Sequence, residues 1–153
     1  MNVLQKFMTY LACTVAATAA VATEGSISSV LNQYQQICKD DYNSELQISE
    51  DAVYELLAGR ELTKTVVVVD TSGLMCGKKP LGFCGSGGCQ LVLLIDDKMY
   101  IERGWSPVNI QYNGHYLILI PLSGGMCGNI SNGSPCFKVL AWDELEQELN
   151  SPN

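Results

Sequence analysis

Basic side chains are scarce in this chain. Nine Lys and Arg stand against sixteen Asp and Glu, a formal net charge of −7 over 153 residues. A protein that neutralises phosphates carries a basic stripe. None is present, so nucleic acid and anionic membrane surfaces are not the expected partners. Histidine is scarcer still, with His115 alone. Serine–histidine catalysis and histidine-ligated zinc therefore rest on a single imidazole. Strongly apolar runs of the roughly 20 residues that a membrane helix needs are missing. So are internal repeats, heptads and low-complexity tracts.

What the first residues do contain is an export signal. "MNVLQK" carries one positive charge at Lys6, and sixteen uncharged residues follow, ending in Ala20-Val21-Ala22. That is the small-x-small pattern cut by signal peptidases. Residues 1–22 read as a cleaved signal peptide, leaving 23–153 as one disulfide-stapled domain. Leu11-Ala12-Cys13 has a lipobox flavour, so a lipid anchor at Cys13 is the competing form; Tyr10 and the short run before Cys13 argue against it. Losing Lys6 leaves eight basic and sixteen acidic residues, a net charge of −8. Such a balance speaks first to solubility, and a basic protein or a cation would suit it as partner.

Export changes the meaning of the cysteines. Cys13 leaves with the signal, and six remain: Cys38, Cys76, Cys84, Cys89, Cys127 and Cys136. An even count in an oxidising compartment, periplasmic or secreted, reads as a disulfide framework, with fifteen pairings open. Proximity favours Cys84–Cys89 around "GSGG" and Cys127–Cys136 around "GNISNGSP", which leaves Cys38 and Cys76 for each other.

The hydrophobic pattern places a helix over 26–38, where Ile27, Val30, Leu31, Tyr34, Ile37 and Cys38 fall on one face and Ser26 caps it. "DDYNSE" reads as a loop. Residues 49–62 fit either a helix or a strand. From Lys64 the chain reads as β: "KTVVVVD", "QLVLLID", "KMYIE", "VNIQY", "HYLILIP" and "CFKVLAW", with tight turns at Asp96-Asp97 and Asn113-Gly114. A short helix over 143–149, capped by Asp143, ends the domain. The expected fold is α+β, mainly β: an antiparallel meander of about six strands spanning about 50–142, with the N-terminal helix packed on it.

A meander alternates its connections between two ends of the sheet. The tight turns share one end. The other collects residues 71–89, 103–107 and 122–136, so the Gly/Cys-rich loops, Asp70, Lys78, Lys79, Arg103 and Trp105 are expected on one edge. Loops held by a rigid sheet are where binding usually sits, and tryptophan and arginine are favoured anchors. Trp105 and Arg103 are the leading candidates. The competing place for Trp105 is folded back over the core.

Enzyme motifs are incomplete. "DTSG" at 70–73 resembles the aspartic-protease element, but Ser72 stands where glycine belongs, and there is no second copy. An Asx-turn at Asp70 explains the same residues. Ser86 in "CGSGG" lacks the nucleophile-elbow pattern, and the meander puts His115 at the far end. "CGSGGC" is spaced too widely for a thioredoxin-type redox pair and lacks zinc partners. Its glycines fit a tight stapled loop or an anion-binding nest. Asp40-Asp41-Tyr42-Asn43-Ser44-Glu45 has calcium-type oxygens without calcium-loop spacing. Asn129 and Asn132 match glycosylation acceptors. No metal or cofactor is expected.

The order Asp70, Cys76, Phe83-Cys84-Gly85-Ser86-Gly87-Gly88-Cys89, Gly104-Trp105, Cys127-Gly128, Cys136 and Trp142 resembles a group of small exported bacterial proteins of unknown function. The likeness covers about residues 50–143 and rests on the Cys-Gly-x-Gly-Gly-Cys element. It implies a β-hairpin over 50–70 and no activity. The calcium-like, Asp-rich turn of that group is replaced here by "ELLAGRELTK". The resulting expectation is a non-catalytic exported protein that binds another exported protein through its loop edge, in the manner of an inhibitor or immunity protein. A periplasmic hydrolase centred on Asp70 is the alternative.

Overall fold

The structure, a computed structural model, describes residues 18–60, 64–128 and 134–152. A helix, α1 (Thr18–Tyr42), leads into β1 (Leu46–Ile48), β2 (Val53–Arg60) and β3 (Lys64–Asp70). One 3-10 turn later come β4 (Leu74–Cys76), β5 (Lys79–Pro80), β6 (Cys84–Gly85), β7 (Gly88–Ile95) and β8 (Lys98–Gly104). The chain closes with β9 (Val108–Tyr112), β10 (His115–Ser123), β11 (Pro135–Asp143) and β12 (Glu148–Asn150).

The α+β, mainly β expectation holds, with more strands than six. β1, β4 and β5 make a small sheet, and the other nine strands form a second. All pairings are antiparallel and most join sequence neighbours: β2 to β3, β7 to β8, β9 to β10, β10 to β11, β11 to β12. One departure from a simple meander matters. At Gly59, with φ +90, β2 turns away from β3, and its last two residues pair with the start of β10. This bend joins the β2–β3–β7–β8 half to the β9–β12 half.

The halves pack face to face. Val66, Val68, Leu91, Leu93 and Ile95 from one meet Ile118, Ile120, Leu140 and Trp142 from the other. Between the layers Lys138 pairs with Glu102 at 2.7 Å. A second core lies on the opposite face of β3 and β7, where Val67, Val69, Val92 and Leu94 meet Val30, Tyr34 and Cys38 of α1. β3 and β7 are covered on both faces. That is why "VVVV" and "LVLLI" are unbroken apolar runs while other strands alternate. The predicted helix stripe is the buried one: Ile27, Leu31 and Ile37 pack against the same core. The layers are therefore helix, sheet, sheet.

The helix is longer than predicted. It runs through Ser26, so that residue is not its cap, and continues over Asp40 and Asp41. It stops at Asn43, whose φ of +47 is a left-handed helix end. Residues 49–62 resolve in favour of the strand, as β2 occupies 53–60. The helix predicted over 143–149 does not form. Asp143 does accept from the N–H groups of Leu145 and Glu146, as a helix cap would. After that turn Gln147 takes φ +53, and β12 pairs with β11 and buries Leu149. Pairing with an open strand edge outweighs the helical propensity of "ELEQEL". The signal's residues 1–17 and the acceptors Asn129 and Asn132 lie outside the described residues.

Candidate functional site

All three disulfides expected from proximity are present: Cys38–Cys76, Cys84–Cys89 and Cys127–Cys136. The first ties α1 to the small sheet. The other two staple the loop edge.

That edge can be followed strand by strand. Cys84 faces Cys89 across the β6–β7 hairpin, and Cys89 faces Gly104 of β8. Trp105 N–H then donates to the Pro121 carbonyl at 2.9 Å, carrying the chain from β8 to the side of β10. Leu122 faces Cys136 on β11. The opposite end holds Asn113-Gly114 and the Lys64–Asp96 ion pair at 2.6 Å. Six residues along β10 separate the Trp105 contact from His115, about 20 Å of strand. Of the expected gathering of 71–89, 103–107 and 122–136, the parts 84–89, 103–107 and 122–128 lie together, with Trp105 and Gly114 at opposite ends; residues 74–80 belong to the small sheet, and 129–133 lie outside the described residues.

Glycine makes this crossing possible. A Cβ at Gly104 would lie 2.3 Å from Ile120 Cγ2, and a Cβ at Gly88 would lie 2.3 Å from the Gly104 carbonyl carbon. Neither position has room for a side chain. Gly85 and Gly87 border Arg103, and a Cβ at Gly87 would sit 3.3 Å from Met126 Sδ. Arg103 and Met126 therefore flank the "GSGG" loop.

Asp70 ends β3 at 3% exposure. Its Oδ1 accepts from Ser72 N–H at 2.9 Å, the Asx-turn anticipated from sequence. Its Oδ2 accepts from Ser106 Oγ at 2.9 Å. Nothing local signals that second bond, because 36 residues separate the partners. Tyr54 of β2 completes the group. Its hydroxyl is buried beside Ser106 without a hydrogen bond of full geometry. Burial pushes its pKa well above the ordinary tyrosine value, the Asp70 charge pushes the same way, and Ser106 opposes both. Thr71 Oγ1 donates to the Gln90 carbonyl, fixing β3 to β7 at the same level.

The consequence concerns Trp105. Its own N–H is held by β10, and the next residue is held by a buried carboxylate. Trp105 remains 48% exposed, and Met126, beside Gly87, is 52% exposed. Trp142 is the core tryptophan. Of the residues expected on this edge, the structure brings together Asp70, Arg103 and Trp105. Lys78 and Lys79 belong to the β4–β5 hairpin of the small sheet, next to Gly77, whose nearest neighbour is Ser44. That hairpin is a detour the meander did not contain.

For catalysis the arrangement offers one buried carboxylate, one exposed hydroxyl and a buried phenol. His115 pairs with Arg60 and Tyr112 at the far end. Among the described residues no cluster of three or more His, Cys, Asp or Glu could hold a metal ion, and no helix is long and apolar enough to cross a membrane. Compared with known proteins, the chain matches no family model, no curated protein and no solved structure.

Proposed function

We propose that this is a non-catalytic exported binding protein whose partner docks on the loop edge, with Trp105 as anchor and Arg103 beside it. The observation that carries the reading is the pinned backbone under an exposed indole: Trp105 N–H on Pro121, Ser106 on Asp70. A backbone already fixed beneath an anchor loses little entropy on binding, and tryptophan leads among interface anchors. Three disulfides support an oxidising compartment. The acidic balance favours a partner with a basic surface, most naturally another exported protein.

The test is capture from periplasmic extract by immobilised wild-type protein and by Trp105→Ala, with thermal unfolding measured on both. A specific protein should be retained by the wild type and lost with Trp105→Ala at unchanged unfolding temperature. Retention by both, or equal loss of folding and capture, assigns Trp105 to structure alone. Hydrolysis of a generic substrate that vanishes in Asp70→Asn would move the reading to the hydrolase.

A further inference from the structure

Two apolar sheet faces need cover in this fold, and the described residues cover one. α1 lies on the outer face of β3 and β7. Among the described residues no such layer lies on the outer face of β9, β10 and β11. Ile118, Ile120 and Leu140 point inward to the core, so strand alternation sends Val108, Ile110, Leu117, Leu119, Phe137 and Val139 outward. Register sets Val108 and Val139 on either side of Leu119, and Ile110 beside Leu117. Val108 is 49% exposed and Phe137 53%. His115, Asp143 and Glu148 form a polar rim at the turn end, Asn150 lies beside Ala141, and Ser123 closes the loop end of this face.

We propose that this face is the contact surface between two copies of the chain. Charge argues for it. Each copy carries −7, so two copies repel wherever acidic side chains meet. Charge on this face is confined to the Asp143 and Glu148 rim, so two copies that meet over Val108, Leu119 and Phe137 oppose no like charges there and desolvate none. A basic partner would find carboxylates only at that rim. Size argues the same way. With Tyr112 the exposed side chains offer on the order of 500 Å² per copy, and two such faces reach the roughly 1,000 Å² expected of a specific interface. Flat antiparallel faces stack by a two-fold axis as the two layers of a sandwich do. The surface is separate from Trp105, so it stands or falls independently of the loop-edge reading.

Sedimentation equilibrium of the full chain with intact disulfides, from micromolar to ~1 mM, tests it beside Val108→Glu and Phe137→Glu. Both sites are exposed, so the fold should survive, and unfolding temperature checks this. A reversible dimer is expected, weakened at least tenfold by either glutamate. Mixing Phe137→Glu with Phe137→Lys should restore association beyond that of either alone. Trp105→Ala should leave the dimer unchanged. A monomer throughout the range, or a dimer indifferent to both glutamates, overturns the proposal. So does a monomer whose Phe137→Glu form loses a captured protein or lipid vesicles, since the face then serves a foreign surface.

Discussion

Asp70 is a buried carboxylate with two structural bonds. It closes the turn after β3 through Ser72 and holds the residue next to Trp105 through Ser106. Replacing it with alanine takes the acceptor from the Ser72 N–H and frees the Trp105 loop. Hydrogen bonds to a charged group are worth about 1.5–3 kcal/mol, so Asp70→Ala should destabilise by about 2 kcal/mol in denaturant unfolding. Asp70→Asn, which keeps an acceptor, should lose about half of that. If the pinned backbone preorganises Trp105, partner affinity should fall in Asp70→Ala although Asp70 touches no partner. Of this group, only the turn was readable in the sequence. "VVVVD" followed by Thr-Ser announces an Asx-turn, whereas the Asp70–Ser106 and Tyr54 contacts depend on strands brought together from three parts of the chain.

Two tyrosines, one in each core, make stability fall at alkaline pH. Burial raises the pKa of Tyr34 and of Tyr54, the latter with help from Asp70. Each folded-state value lies above the unfolded value near 10. Above that pH the unfolded chain releases protons that the native state retains, so the stability present below about pH 10 is lost as pH rises. The slope is up to about 1.4 kcal/mol per pH unit for each tyrosine. Chemical denaturation between pH 9 and ~11.5 should show this decline, and Tyr54→Phe should flatten it. A wild-type slope unchanged in both Tyr34→Phe and Tyr54→Phe would rule these groups out.

At the scale of elements, legibility followed burial pattern. β3 and β9 coincide with the segments read from sequence, because a doubly covered strand is continuously apolar and a hairpin turn such as Asn113-Gly114 is chemically marked. The two terminal elements were misjudged for one reason: helix length and the β12 pairing are decided by what lies alongside. "ELEQEL" has helical letters and a helical cap, yet β11 offered an unpaired edge. The Gly59 bend that joins the two halves was hidden as well, since a glycine in a strand marks a bend without naming the strand it reaches.

The disulfides rank by the elements they tie. Cys38–Cys76 joins α1 to the small sheet across a separation of 38 residues, against 9 for Cys127–Cys136 and 5 for Cys84–Cys89. In the chain-entropy account these closures contribute about 4, about 2.5 and about 2 kcal/mol. Paired Cys→Ala variants, compared by urea unfolding, should keep that order. A Cys84/Cys89 variant more destabilised than the Cys38/Cys76 variant would show that the short staple supports the edge enthalpically, through the Gly88–Gly104 crossing, rather than by restricting the unfolded chain.

The whole molecule has three layers, helix, sheet and sheet, and two surfaces of different character. The loop edge is irregular, stapled and carries an exposed tryptophan. The outer face of the last layer is apolar over β9–β11, with its charge at the Asp143–Glu148 rim. Composition alone located neither, but it excluded a basic groove, and strand parity located the first. The second needed register, because Val108, Leu119 and Val139 become neighbours only when β9, β10 and β11 are aligned.

The bonding order of the six cysteines has a consequence for how the chain is made. Numbered from the N-terminus they join first to second, third to fourth and fifth to sixth. A polypeptide threaded through a membrane pore in that direction delivers each thiol's mate as the next thiol to arrive. Oxidation of whichever pair has just emerged yields the native bond every time, so no wrong link has to be undone later. For a chain exported in that way, a simple oxidant on the far side would be enough for this topology.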